Sequence, residues 1–182
     1  MSELYIVNYC HKNCEPLKNI MRLPKEEAFA LANKLAEQNK ETTAFYRFAD
    51  FDNYYWERLE TDSLLYKELM RQGGMAKYEH PLSFVLQGSE YLYEWFGEGI
   101  ITKVPLDLIP DEQISFTYGD SMSVRKRDGG FTLITKGILM ELLEGYKGTA
   151  EDFVKEMNEK YGYVEVQVWG DVRTDLYDYE IL

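Results

Sequence analysis

The stretch that decides the fold is HPLSFVLQGSEYLYEWFGEGIITKVPLDLIPDEQISFTYGDSM, residues 80–122. Within it, the apolar run 81–87 predicts a strand, and residues 90–96 predict a brief helix that Ser89 can cap. The β-branched run 100–104 and the segment 113–118 predict two more strands. Several strands so close together indicate that the sheet at the centre of the molecule is built around this stretch.

The residues before this stretch predict two helices and two strands. Residues 4–9 alternate as in a strand, and residues 42–48, TTAFYRF, predict a second one. Pro24 can start an amphipathic helix over 24–38, and residues 54–70 predict another helix. The expected buried face of this second helix consists of Leu64, Leu65, Leu69 and Met70.

After the central stretch, residues 121–127 and 131–135 flank Asp128-Gly129-Gly130, which predicts a hairpin. Thr135 can cap a helix with one apolar side, formed by Ile138, Leu139, Leu142 and Leu143. Thr149 and Asp152 resemble a capping box at the start of a further helix. Residues 163–169, YVEVQVW, predict a strand with valines on one face and Glu165 and Gln167 on the other.

These segments predict one α+β domain over residues 1–182. Its mixed, largely antiparallel sheet has about six or seven strands, accompanied by about four main helices. No run of residues is apolar enough to span a membrane, and the N-terminus lacks the pattern of a signal peptide. Two cysteines do not make a disulfide framework, so we expect a cytoplasmic protein.

Charge is the most informative property of the composition. Twenty basic and 32 acidic residues give a net charge of −12, and the chain contains 15 tyrosines. This field opposes independent binding to a polyanion and favours a basic partner surface. Carboxylates can replace phosphates in a groove built for nucleic acid, and aromatic rings supply contact area. The alternative is that the acids serve solubility alone.

Three short motifs suggest chemistry but are incomplete. Cys10-His11-x-x-Cys14 offers three metal donors where a structural zinc site needs four, so ordinary thiols at a strand end are the favoured interpretation. Gly119-Asp120-Ser121 resembles a nucleophile motif, but a turn with a polar cap explains it more simply. We therefore predict neither a metal nor a cofactor.

A third pattern loosely resembles arginine-type ADP-ribosyltransferases. It comprises Arg47 on an early strand, Ser115 to Thr117 on a middle strand and Glu165 to Gln167 on a late one. In that family the arginine and serine hold the dinucleotide, and the last acid stabilises the oxocarbenium ion. Gln167 stands where that acid is expected, so the resemblance implies a site without its catalytic charge.

Aromatic–acidic groups are the candidates for a partner interface, because aromatic residues are enriched at binding hot spots. The candidate partner-binding residues are Tyr54, Tyr55, Trp56, Glu57, Glu90, Tyr91, Tyr93, Glu94, Asp178, Tyr179 and Glu180. Arg125, Lys126 and Arg127 fall at the tip of the expected hairpin and are the candidates for a nucleic-acid contact. The alternative for these cations is protection of a strand edge.

Most of the chain resembles a family of small proteins from Firmicutes and their phages, the eleventh family of type II-A anti-CRISPR proteins. The blocks that carry the resemblance are LPKEEAFALA (23–32), TAFYRFADFDNYYWERLETD (43–62), HPLSFVLQGSEYLYEWFGEGI (80–100), ISFTYGDSM (114–122) and YVEVQVW (163–169).

This resemblance implies a phage-encoded, non-enzymatic inhibitor that binds the RNA-guided type II CRISPR effector nuclease with its guide RNA. Such a protein blocks DNA targeting or cleavage, and a contact with DNA is a further expectation. The alternatives are an enzyme with an ADP-ribosyltransferase-like fold and a cytosolic accessory protein.

Overall fold

An antiparallel sheet forms the centre of the structure, a computed structural model that describes residues 4–172. Its six strands are β1 Tyr5–Cys10, β2 Leu82–Leu86, β3 Ile100–Pro105, β4 Ile114–Tyr118, β5 Ile134–Thr135 and β6 Val164–Val168. Their order across the sheet is β3-β1-β2-β6-β4-β5, and every neighbouring pair is antiparallel. The predicted α+β class is confirmed, and strands and helices form one compact domain.

Six helices accompany the sheet in the described part of the chain. They are α1 Lys25–Gln38, α2 Phe51–Arg71, α3 Glu90–Trp95, α4 Ser121–Asp128, α5 Lys136–Gly145 and α6 Ala150–Tyr161. The four predicted main helices correspond to α1, α2, α5 and α6, and the brief helix predicted before β3 is α3. Across residues 4–172, no helix has both the length and the apolar character needed to cross a membrane.

The first face of the sheet carries the main apolar core. Val164, Val166 and Val168 of β6 point to this face, where Phe84 and Phe116 from the two neighbouring strands join them. Leu139 and Leu143 of α5 and Phe153 and Val154 of α6 cover this layer. The predicted capping box is present, since Thr149 and Asp152 satisfy each other's backbone amides at the start of α6.

The second face of the sheet is covered by α2, and the first residue of α4 reaches Glu165 of β6. Leu65 and Leu69 of α2 are buried against Leu133 and Trp169. Two of the four residues predicted to be buried on this helix are instead exposed: Leu64 is 41% exposed and Met70 is 43% exposed. Arg58, Thr61 and Asp62 take up the rest of the buried stripe.

Two predicted strands are helical. Residues 42–48 do not form a strand but belong to a 3₁₀ segment, Thr43–Asp50, in which Thr42 Oγ1 accepts a hydrogen bond from the amide of Ala44. Residues 121–127 do not form one arm of a hairpin but belong to α4. Asp120 caps the start of α4, and Gly129 ends it with a φ of 76°, a left-handed conformation that glycine adopts without strain.

Candidate functional site

A layer of polar side chains lies between the second face of the sheet and α2. Glu165 and Gln167 of β6 stand beside Thr117 and Ser115 of β4, because the strand register pairs Thr117 with Glu165 and Ser115 with Gln167. All four side chains are buried, with exposed fractions of 5% or less. The sequence predicted the alternation along β6, but the polar face of this strand is buried as fully as the apolar face.

Both the oxygen and the nitrogen of the Gln167 side chain are hydrogen-bonded inside this layer. Its Oε1 accepts a hydrogen bond from Ser115 Oγ at 2.8 Å, and its Nε2 donates to Thr117 Oγ1 at 3.0 Å. Trp169 Nε1 in turn donates to Ser115 Oγ at 2.9 Å. Because a buried polar group is costly mainly when it is unpaired, this chain of hydrogen bonds offsets the cost of burying the amide.

Arg58 and Asp62 place two charges above the polar layer, one turn apart on α2. The Arg58 guanidinium pairs with the Asp62 carboxylate, whose residue is 0% exposed. His80 Nδ1 lies 2.7 Å from the second oxygen of Asp62. Burial works to lower the pKa of Arg58, but the charges of Asp62 and Glu165 outweigh it and raise that pKa.

Glu165 is the least compensated charge of the cluster. It accepts a hydrogen bond from the Ser121 amide at 2.5 Å, but its distance to the Arg58 guanidinium is 4.0 Å. Burial, together with the negative charge of Asp120, raises the pKa of Glu165 above its ordinary value. We call Arg58, Asp62 and Glu165 the buried ionic cluster, with His80 at its edge.

The rim of this cluster is formed by Arg47, Asp120 and Tyr163. Tyr163 OH donates to Asp120 Oδ2 at 3.4 Å, and burial raises the pKa of this tyrosine. Burial alone would lower the pKa of Arg47, but a hydrogen bond with Tyr46 and the charge of Asp120 leave it raised. Arg47 is half-buried and lies in the 3₁₀ segment.

The structure brings together two of the three elements that resemble ADP-ribosyltransferases. Ser115 to Thr117 and Glu165 to Gln167 lie on directly paired strands. The expectation that Arg47 lies on a strand is wrong, because its segment is 3₁₀. Gln167 is 0% exposed, so its side chain is closed to a ligand in this structure. Transferase activity itself stays an untested alternative.

Two of the other sequence motifs have clear places in the fold. Asp120 Oδ1 accepts from the Ser123 amide as the cap of α4, and Ser121 is 0% exposed, so Gly119-Asp120-Ser121 is a turn that starts a helix. Cys10 and Cys14 are free thiols at the end of β1. Among the residues described, no three or more His, Cys, Asp or Glu side chains converge as a metal site requires.

One predicted partner-binding group lies on α3. Glu90, Tyr91 and Glu94 are exposed, and Tyr91 is 58% accessible. Its ring packs 5.9 Å from that of Trp95, which meets Tyr46 of the 3₁₀ segment edge-on at 5.5 Å. Tyr46 is itself 56% exposed. Tyr46, Tyr91 and Trp95 therefore form one surface feature, which we call the aromatic ridge.

Tyr93 differs from its neighbours on α3. Its half-buried ring faces Tyr9 of β1 at 6.3 Å, so it helps to attach the helix to the sheet. This contact leaves Glu90, Tyr91 and Glu94 as the residues of the predicted group that face outward. A further predicted group, Asp178, Tyr179 and Glu180, lies outside the described residues.

The remaining predicted partner-binding group lies in the first turns of α2. Tyr54 and Tyr55 pack into an apolar cluster with Phe51, and burial raises the pKa of Tyr54. Trp56 is 50% exposed, with Lys25 Nζ 4.5 Å from the centre of its ring. Glu57 pairs with Lys126 at 2.5 Å. Trp56 is thus the most exposed member of this group.

The basic triplet lies on the surface of α4 and not at a hairpin tip. Arg125 pairs with Glu60 at 3.0 Å and also donates to Thr61 Oγ1. Lys126 pairs with Glu57, and Arg127 pairs with Asp128 at 2.7 Å. Two of the three cations therefore connect α4 to α2, and a phosphate would have to compete with carboxylates for all three. The nucleic-acid contact stays a prediction.

Compared with protein-family models, with curated proteins and with solved structures, this chain gives no match. The function therefore has to be argued from its own residues. The sequence singled out Glu165, Gln167, Ser115 and Thr117, but it missed Arg58 and Asp62. Arg58 and Asp62 are four residues apart, and Leu65 and Leu69 continue the same stripe of the helix. This spacing was the signal in the sequence that could have placed both charged residues on the buried face.

Replacing Arg58 tests how strongly the buried ionic cluster holds α2. We expect Arg58→Met to lower the free energy of unfolding by about 3–5 kcal/mol, because Asp62 and Glu165 lose their buried counter-charge. The matched control is Arg71→Met on the same helix, whose side chain is 71% exposed beside Glu68 and whose loss costs about 0–1 kcal/mol. Urea unfolding followed by circular dichroism measures both, and equal losses would contradict the assignment.

The pKa of Glu165 predicts a pH dependence of stability. Because the folded-state pKa lies above the ordinary 4.5, this group favours folding at low pH, and its contribution is lost as the pH rises through the folded value. Glu165→Gln keeps an acceptor for the Ser121 amide but cannot ionise. Urea unfolding from pH 4 upward should therefore show the wild type losing stability relative to this variant. Parallel curves would refute the raised pKa.

Proposed function

We propose that this chain is a stoichiometric protein inhibitor of the RNA-guided type II CRISPR effector nuclease. It binds the nuclease with its guide RNA and blocks DNA targeting or cleavage, and it acts in the cytoplasm of a bacterial host. The proposal rests on the resemblance to type II-A anti-CRISPR proteins and on the surface around α3. It does not require the chain to perform bond chemistry.

The observation that carries the proposal is the exposed aromatic ridge with its acidic border. Tyr46 and Tyr91 each expose more than half of their surface, at 56% and 58%. Glu90 and Glu94 flank Tyr91 on α3, and neither forms an ion pair with another described residue. Large exposed rings beside uncompensated carboxylates are suited to a cationic, partly apolar partner surface.

Effector nucleases of this type offer such a surface. They hold the guide–target duplex in a positively charged channel and read a short DNA motif with arginines. Carboxylates of the inhibitor can take the place of phosphates there, and a net charge of −12 accelerates the encounter by electrostatic steering. The rings supply the contact area that charge alone lacks, because hot spots are enriched in tyrosine and tryptophan.

A cleavage assay titrated with the purified chain tests the proposal. We expect inhibition to be complete near one equivalent of inhibitor per nuclease and binding to weaken with added salt, because the attraction is largely between charges. Inhibition far below one equivalent would instead indicate an enzyme that modifies its target. Binding that is equal at low and high salt would contradict the role assigned to the carboxylates.

The surface is tested by two charge-matched double variants. Glu90→Lys with Glu94→Lys should weaken binding to the nuclease by about 1–3 kcal/mol, since two carboxylates next to the ridge become cations. Glu141→Lys with Glu144→Lys, exposed on α5, changes the net charge equally and is expected to act only through the weaker long-range field. Tyr91→Ala should cost about 2 kcal/mol if the ridge is a hot spot. Equal losses in both double variants would exclude a local role for α3.

The expected DNA contact is tested at the exposed end of the basic triplet. Lys126→Glu with Arg127→Glu reverses two surface charges but leaves Arg125 in its contact with Thr61. If phosphate is bound there, DNA affinity of the nuclease–inhibitor complex should fall by about tenfold or more and depend less on salt. Lys147→Glu with Lys155→Glu, also exposed, is the control. Unchanged DNA binding would remove the triplet from the interface.

A further inference from the structure

Two free thiols lie at the end of strand β1, next to the edge of the sheet. Cys10 is the last residue of β1, and the chain then turns so that the Cys14 amide donates to the His11 carbonyl at 2.8 Å. Cys10 Sγ donates to the same carbonyl at 3.4 Å. The turn thus returns Cys14 to the strand end, because one carbonyl oxygen, that of His11, accepts from both the Cys14 amide and the Cys10 thiol.

The two thiols are not equivalent. Cys10 is 8% exposed, while Cys14 is only partly buried and follows the exposed residues Lys12 and Asn13. The interaction with Cys14, together with burial, raises the pKa of Cys10. The same interaction lowers the pKa of Cys14. A reagent from solution therefore meets a partly exposed thiol whose pKa is lowered, with a buried thiol of raised pKa behind it.

His11 holds this turn and keeps its shape. Its ring is 6% exposed and packs edge-on against Phe45 at 5.0 Å, and its Nδ1 accepts from the Asn13 amide at 3.2 Å. Burial, with the charge of Lys12, lowers the pKa of His11, so the imidazole is neutral near pH 7. With Nδ1 engaged in the turn, the arrangement favours reaction between the two sulfurs over a shared metal ion.

We propose that Cys10 and Cys14 form a redox-modifiable dithiol that exchanges with low-molecular-weight disulfides. The Cys14 thiolate attacks one sulfur of the disulfide, whose S–S bond breaks and releases one thiolate that takes up a proton. The Cys10 thiol then loses its proton and attacks Cys14 Sγ, releasing the second thiol. The chain gives up two electrons and two protons and gains one S–S bond, and the reagent is reduced to two thiols.

Incubation of the full chain with glutathione disulfide tests this order of events. After alkylation, the intact mass of the wild type should show loss of two alkylatable thiols, no retained glutathione, and recovery of both thiols with dithiothreitol. Cys10→Ser removes the resolving thiol and should accumulate the mixed disulfide on Cys14. Cys14→Ser leaves only the buried thiol, which should react with glutathione disulfide at least about tenfold more slowly than Cys14 does in the Cys10→Ser variant.

Urea-unfolded samples of both variants provide the control, because the difference in rate comes from the fold and should disappear there. Circular dichroism establishes that each serine variant is folded before its rate is compared. Equal rates for the two folded variants, glutathione retained by the wild type, or a wild type that keeps both thiols would each overturn the proposal. Stoichiometric zinc bound by the reduced wild type, lost in either variant, would assign the pair to a metal instead.

Discussion

The helix α2 can cover the second face of the sheet only because the charges buried between them are paired with one another. Arg58 is the only cation in direct contact with both buried carboxylates, Asp62 and Glu165, among the described residues. Removing three charges from water is expensive, and their mutual attraction compensates only while the geometry is kept. A small shift of α2 would separate Arg58 from Glu165, so the cluster fixes where this helix lies more than it adds stability.

The polar layer below the cluster applies the same constraint to the strands. Ser115, Gln167 and Trp169 satisfy one another only in the observed register of β4 and β6. A slip of one residue would exchange the apolar and polar faces and leave these groups unpaired. The strands that carry the chemistry-bearing residues are therefore positioned by hydrogen bonds on one face and by valines on the other.

The sequence predicted the sheet well because its strands alternate or are β-branched, and it failed where aromatic residues obscured the period. Residues 42–48 are rich in strand formers, but Phe45, Phe48 and Phe51 recur every three residues. A 3₁₀ helix has three residues per turn, so these rings line up on one side, with centroids 5.7 Å and then 5.3 Å apart. Burial of that ring row outweighs the local strand preference.

The helix α4 was missed for a different reason. Asp128-Gly129-Gly130 fits a hairpin turn, but Gly129 also ends a helix well, and Asp120, nine residues before Gly129, caps the start of one. The three cations of the last turn then lie at the negative end of the helix dipole. Arg58 and Asp62 were missed because charged residues on a helix are usually exposed, and only the tertiary packing of α2 shows otherwise.

The internal pairing of cations also shapes the outer surface. Arg58 compensates buried acids, while Arg125 and Lys126 neutralise Glu60 and Glu57 of α2. These contacts use basic side chains to hold helices together. Residues 90–98, in contrast, contain three glutamates and no lysine or arginine. These carboxylates border the exposed rings of the aromatic ridge, so a cationic partner would find both charge and contact area there.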